Sequence, residues 1–228
     1  MSRNFSVFDI VGPIMIGPSS SHTAGAARLA KLAASIAGEK IKKVDFQLHG
    51  SFAKTYKGHG TDKALVAGIL GMDPWDDRLK DSFKIAKEKG LEICFSEVEL
   101  ENVHPNTVKF VITKKDNSTT SVIGSSIGGG NIVIFDIDGQ EVEFKGDYPT
   151  LMTKHKDTPG VISKISTIMY KDNLNIGTMK LYRNGKGSMA TMALETDNVI
   201  PPATIEKLKE IPEIHSIKII NPMGEGEV

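Results

Sequence analysis

The residues that can do chemistry are concentrated in two short stretches near the start of the chain. The first is Gly17–Pro18–Ser19–Ser20–Ser21–His22–Thr23–Ala24–Gly25, where four hydroxyls and an imidazole fill five consecutive positions. It follows a Gly-Pro turn and leads into an Ala-rich segment with helical spacing. A helix N-terminus presents unpaired backbone N–H groups and a partial positive charge, so it attracts carboxylates and phosphates. One serine or threonine suffices as a cap, and the surplus of hydroxyls points to a binding site. The second stretch is Gly58–His59–Gly60–Thr61–Asp62, at a loop entering a helix. Glycines on both sides of His59 let a small ligand approach the backbone and leave the imidazole unobstructed. Asp62 is placed either to cap the next helix or to orient His59, as a carboxylate orients an imidazole in general-base catalysis.

A third stretch, Gly124–Ser125–Ser126–Ile127–Gly128–Gly129–Gly130, can supply backbone N–H groups to an anion. It lacks the lysine and spacing of a P-loop, and taken alone it reads as a glycine-rich bulge between strands. Other chemistries are excluded or unsupported. No serine sits in a Gly-x-Ser-x-Gly elbow. His22, His49, His59 and Asp62 supply zinc ligands on paper, but no His-x-x-x-His spacing supports them. The single cysteine, Cys94, cannot make an intrachain disulfide, a zinc knuckle or an iron–sulfur cluster. The alternation Leu91–Glu92–Ile93–Cys94–Phe95 suits a half-buried strand in which a free thiol behaves as a small hydrophobe.

Lys and Arg total 28 and Asp and Glu total 28, which removes the electrostatic case for a nucleic-acid or anionic-membrane partner. No apolar run approaches the roughly 20 residues of a membrane span. The first residues lack a basic-then-apolar leader pattern. The expectation is a soluble, cytoplasmic protein.

Two domains must position these residues. In the first, residues 1–147, a short apolar lead-in at residues 5–11 precedes the turns. Ala26, Leu29, Ala30, Ala33, Ile36 and Ala37 then recur at helical spacing and end at Gly38. Their small size predicts a close approach to a sheet or a partner. Val44, Phe46 and Leu48 alternate as a strand, and a helix is expected from Lys63 to Leu70, closed by Gly71. A turn over Asp73–Asp77 leads to a helix carrying Leu79, Phe83 and Ala86. Val108, Phe110 and Ile112 form a strand ending in the Asp116-Asn117 turn. Ile132–Ile134 and Val142–Phe144 flank Asp138-Gly139, the strongest hairpin signal in the chain. In the second domain, residues 148–222, a strand over Thr150–Lys156 and the turn Asp157–Gly160 precede a helix with Val161, Ile165, Ile168 and Met169 on one face. Strands at Asn175–Tyr182 and Met189–Glu195, joined through Arg183–Gly187, precede a helix over Pro202–Glu210 and a strand at His215–Ile220. The order βαββαβ is ferredoxin-like, so the fold class is α+β: a mixed α/β domain followed by a ferredoxin-like one. Residues 223–228 have nothing to pack against and are expected to fray.

With these motifs in view, the sequence resembles the β subunit of the two-chain, iron–sulfur-dependent L-serine dehydratases of bacteria. The match rests on the 17–25 stretch, on His49-Gly50-Ser51 with Gly58–Asp62, and on Ser126–Gly130, and it covers essentially the whole chain. The 148–222 segment is similar to the ACT family of amino-acid-sensing domains. One departure is that Gly25 is followed by Ala26 where the family often has proline, which leaves the hydroxyls and histidine untouched. The resemblance implies conversion of L-serine to pyruvate and ammonia. A 4Fe–4S cluster polarises the substrate hydroxyl, a base takes the α-proton, and the aminoacrylate hydrolyses. It implies that the cluster is held by a partner α subunit, and Cys94 alone agrees. It also implies an allosteric-substrate-binding type of first domain, as in some phosphoglycerate dehydrogenases. The polar loops then either line a catalytic cleft or bind serine as a regulator. The alternative to an enzyme subunit is a stand-alone regulatory module that binds serine or another small amino acid. On the catalytic alternative His59 is the acid/base, His22 and Asp62 orient it, and Ser20, Ser21, Thr23 and Thr61 bind the substrate. For the ACT-like segment it implies dimerisation and an effector site at Pro159 and Gly160, facing Asn175 and Ile176 of a paired domain.

Overall fold

In the computed structural model of the chain, residues 14–38, 40–183 and 185–221 are described. The apolar lead-in at 5–11, Asn184 of the 183–187 turn and the tail at 223–228 lie outside them. The chain divides into two compact units after Gly139, ahead of the boundary at residue 147 suggested by the sequence. Among the described residues no helix is long and apolar enough to cross a membrane.

The first unit opens with a π-helical turn, Ser20–Gly25, continuous with helix α1, Ala26–Ala37. Gly38 ends α1 with φ +83°, a conformation suited to glycine. Strand β1 spans Ile41–Leu48 and runs directly into a short helix, α2, Gly50–Thr55, to which the sequence reading assigns no element. Helix α3, Thr61–Ile69, follows the Gly58–Gly60 loop. A 3₁₀ turn, Asp77–Asp81, and α4, Ser82–Glu88, together make the expected 79–90 helix. The strands after β1 are β2 (Glu92–Glu97), β3 (Thr107–Lys114), β4 (Thr119–Gly128) and β5 (Asn131–Ile137), and β6 (Gln140–Phe144) begins just past the division. They order as β2-β1-β3-β4-β5-β6, with β1 and β2 parallel and β1, β3, β4 and β5 antiparallel in turn. Asp138 and Gly139 both take positive φ, as a two-residue type I′ hairpin turn requires.

One sheet face carries Val44, Phe46, Leu48, Phe110, Ile112 and Ile134, all fully buried. Alpha-helix α1 lies on it, and this contact depends on small residues. A Cβ on Gly124 of β4 would meet Leu29 Cδ1 of α1 at 2.7 Å, and one on Gly68 of α3 would lie 2.2 Å from the Ala27 carbonyl oxygen. Cys94 corrects the sequence reading. It points away from Ile93 and Phe95 on the edge strand β2 and is exposed, not half-buried.

The second unit holds β7 (Thr150–Lys156), α5 (Val161–Lys171), β8 (Ile176–Arg183), β9 (Met189–Thr196), α6 (Pro202–Lys209) and β10 (Ile214–Ile220). The strand order β10-β7-β9-β8 is the ferredoxin-like arrangement. Leu151, Val161, Ile165, Met169, Met192, Leu194 and Leu208 form its core.

Gly68→Ala tests the α1–α3 contact. In an open helix this change stabilises by about 1 kcal/mol. Here the added methyl meets backbone, so the expected result is destabilisation by about 1–3 kcal/mol in a urea titration.

Candidate active site

The π-helical turn determines where His22 sits. Ser19 caps it, its Oγ accepting from the His22 N–H at 3.1 Å, and the Thr23 N–H donates to the Ser19 carbonyl at 2.9 Å. Turns of this type often mark functional sites. A Cβ on Gly25 would lie 2.1 Å from Ser126 Oγ, so glycine is what lets the turn close against β4.

Two further segments bring their residues to His22. At the end of β1, the His49 N–H donates to the Thr107 carbonyl at 3.0 Å and its Nδ1 accepts from the Leu100 N–H at 3.2 Å. Gly50, at φ +58°, then turns the chain into α2, and a Cβ there would sit 2.6 Å from the Pro105 carbonyl oxygen. Ser51 follows, with its Oγ 3.2 Å from His22 Nε2. Phe52 lies edge-on to the His22 ring at 5.2 Å. His59 reaches the same ring from the loop before α3, with centroids 5.0 Å apart and planes at 87°. The two histidines singled out in the sequence therefore meet.

Burial divides the pair. His22 is half-buried and His59 exposed. Desolvation holds the His22 pKa below its ordinary value, and the charge of His59 lowers it further. His22 is thus neutral at pH 7, while His59 communicates with solvent. Such a pair can pass a proton between a substrate and water.

The remaining predicted residues are placed less uniformly. Ser20 and Ser21 are half-buried on the π turn, whereas Thr23 (2% exposed) and Thr61 (0%) are wholly buried. Their hydroxyls, with that of Ser126, have no hydrogen-bond partner among the described residues. An unpaired buried hydroxyl costs about 1–3 kcal/mol, so a polar ligand atom reaching one would recover that cost. Asp62 is not hydrogen-bonded to His59; its Oδ1 accepts the Lys63 N–H at 2.8 Å in the first turn of α3. Burial pushes its carboxyl pKa up, opposed by the Lys63 amide and ammonium. The glycine-rich stretch forms the end of β4 and the turn to β5, with register shifts at Ile123/Gly124 and Ser126/Gly128. Gly128, Gly129 and Gly130 all have positive φ, and Arg28 Nη1 donates to the Gly130 carbonyl at 3.0 Å.

In the second unit, Pro159 and Gly160 lie exposed between β7 and α5, and Asn175 and Ile176 open β8. Both β7 and β8 run antiparallel to β9. The end of β7 and the start of β8 are therefore at opposite ends of the sheet, and one chain does not bring the four residues together. Asp157 of the same turn is held by Arg183 Nη1 at 3.1 Å, and the Asn175 amide donates to Asp197 at 2.7 Å.

Sequence reasoning gave Ser51 no role. Its signal was a strand ending in His-Gly-Ser, with the glycine at the turn into a helix. Among the described residues no group of three or more His, Cys, Asp or Glu side chains can hold a metal. With one exposed thiol besides, this chain does not fit the ligand set of an iron–sulfur cluster.

Known proteins resemble the chain over most of its length. A family model described as serine dehydratase beta chain matches residues 6–90, which contain both histidine stretches. The L-serine dehydratase beta chain of Peptoniphilus asaccharolyticus is 47% identical over 195 residues, spanning 85% of this chain and 88% of that one. The probable L-serine dehydratase beta chain of Bacillus subtilis is 41% identical over 209 residues, spanning 92% and 94%. A D-3-phosphoglycerate dehydrogenase of B. subtilis is 29% identical over 202 residues, or 86% of this chain and 37% of that one. Among solved structures, the ACT domain of a GTP pyrophosphokinase from Chlorobium tepidum aligns with 32% of this chain and 97% of its own, at 20% identity and a TM-score of 0.26.

The His22 environment is open to direct titration. Its NMR midpoint is expected below 6.5, and His59→Gln should raise it without restoring 6.5, because burial is the larger cause. Between the two values the unfolded chain binds more protons than the folded one. Stability should therefore rise with pH through that window and fall as pH drops below 6.5. His22→Gln should flatten this part of the urea-midpoint profile.

Proposed function

The chain belongs to the serine dehydratase β-chain family, and from that membership we propose that it forms the catalytic site for conversion of L-serine to pyruvate and ammonia together with an α subunit. The observation that carries the reading is the His22–His59 contact, made by two loops that the family match includes. On this reading the 4Fe–4S cluster is held by the α subunit, since this chain lacks the ligands for it.

The residues of this chain have separable tasks. His59, exposed and flanked by glycines, takes the substrate α-proton and exchanges it with solvent. His22, neutral through burial, orients His59 through the edge-on ring contact and accepts positive charge only at a cost. Ser20 and Ser21 on the π turn bind the substrate carboxylate. Thr23 and Thr61 are wholly buried, and their unpaired hydroxyls favour a polar neighbour. Asp62 acts on this site through the first turn of α3, not through a bond to His59. The exposure of His59 and of Ile127 (43%) on the glycine-rich stretch favours a site closed by the α chain over a self-contained one.

The second unit is read as a dimerising, amino-acid-sensing module. Edge strand β8 exposes Met179 (36%) and Leu181 (38%), an apolar edge of the kind that pairs with another strand. A second copy would also supply the Asn175–Ile176 end that one chain holds away from Gly160.

The test is anaerobic purification with the native partner, assayed for iron and for pyruvate formed from L-serine. An iron-bearing partner and serine-dependent pyruvate are expected, with no pyruvate from this chain alone. Activity of the pure chain would overturn the two-subunit reading, and an iron-free, partnerless chain would favour a regulatory module. In the active complex, His59→Ala should lower kcat by about 10²–10⁴-fold. Leu181→Lys should weaken dimerisation by light scattering while leaving the fold, read by circular dichroism, intact.

A further inference from the structure

We propose that Ser51 is a positioning residue whose hydroxyl donates to His22 Nε2, fixing His22 as the Nδ1–H tautomer within the His22–His59 pair. Ser51 is itself rigidly placed. Its N–H donates to the Pro105 carbonyl at 2.8 Å, and its own carbonyl accepts the Thr55 hydroxyl at 2.7 Å. Its backbone is fixed on both sides, and the hydroxyl is what can still rotate. Gly50 makes this placement possible, because no side chain fits beside Pro105 at the end of β1.

The direction of the bond follows from the donors and acceptors present. Ser51 Oγ has one partner among the described residues, His22 Nε2 at 3.2 Å. A neutral imidazole carries one proton, and the hydrogen bond at one ring nitrogen decides which nitrogen holds it. If Nε2 carried the proton, it would donate to Ser51 Oγ and leave two groups without a partner among the described residues, the serine hydrogen and the Nδ1 lone pair. With the proton on Nδ1, the hydroxyl hydrogen meets the Nε2 lone pair and only the Nδ1–H is left unpaired. His22 is otherwise held by its backbone bond to Ser19 and by ring-edge contacts with Phe52 and His59, none of which selects a tautomer. Ser51 therefore supplies the selection.

The consequence for catalysis rests on the reading proposed above, and the experiment separates the two. Histidine ring ¹⁵N spectra of the full chain at neutral pH should show His22 with a pyrrole-type Nδ1 and a pyridine-type Nε2. Ser51→Ala should give a mixture of tautomers, and Ser51→Thr, which keeps the hydroxyl, should restore the single one. In the complex with the α subunit, Ser51→Ala should lower kcat by about 10–100-fold, the cost of a misoriented group, with a smaller change in KM and recovery in Ser51→Thr. A wild-type His22 protonated on Nε2, or a Ser51→Ala spectrum unchanged from wild type, would overturn the inference. A tautomer change with unaltered kcat would uphold the hold of Ser51 on His22 and remove the pair from the proposed reaction.

Discussion

The Ala27 carbonyl oxygen of α1 would lie 2.2 Å from a Cβ on Gly68, and Leu29 of the same helix would lie 2.7 Å from a Cβ on Gly124. A third close approach, between Gly25 and Ser126, fixes the π turn from which α1 starts. Alpha-helix α1 is thus held against α3, β4 and the end of β4 by positions where a methyl group is already too large. Interiors packed to this density transmit small displacements instead of absorbing them. Since His22 belongs to the turn that begins α1 and His59 to the loop that begins α3, the spacing of the two helices controls the spacing of the two imidazoles. The histidine pair is a product of backbone packing as much as of its own side chains.

That packing also divides the pair electrically. The same closeness that brings α1 to α3 half-buries His22, and burial is the main reason its pKa falls. His59, on a glycine-flanked loop, escapes burial. Two identical side chains 5.0 Å apart therefore differ in depth, and burial penalises the charged form of the deeper one. A neutral histidine needs a defined tautomer before it can orient anything. The hydroxyl next to it comes from the turn between β1 and α2, itself possible only because Gly50 can take a positive φ beside Pro105.

Much of this was legible in the residues. Small residues at helical spacing over 26–37 announced a close helix contact, although not that Gly68 would be the other side of it. Apolar alternation marked β1 and β3, and Asp138-Gly139 marked its hairpin, because these signals are local. Helix α2 was not legible. Six residues are too few to show a helical period, and the Ser51 N–H helps hold the helix by donating to the Pro105 carbonyl. The Cys94 error has the same origin: alternation identifies two faces of a strand but not which one is covered, and edge strand β2 turns its cysteine outward. The histidines were found because glycines and hydroxyls surround them in sequence. Ser51 stood in the His49-Gly50-Ser51 motif without a role, because its partner lies 29 residues away.

The two units share one property that bears on how such a chain works. In the first, the ring suited to exchange protons is exposed, and the metal-binding chemistry expected of the family has no ligands among the described residues. In the second, the turn at Gly160 and the strand start at Asn175 are at opposite ends of the sheet, because β7 and β8 are parallel to each other across β9. Each unit folds around its own core, so neither arrangement reflects a failure to fold. On the proposed two-subunit reading, such a chain completes its cores alone and its sites in company. Association would then supply groups to preformed surfaces, which costs less ordering entropy than folding a site on binding. On that reading, the rigid small-residue packing of α1 keeps His22 and His59 in register before a partner arrives.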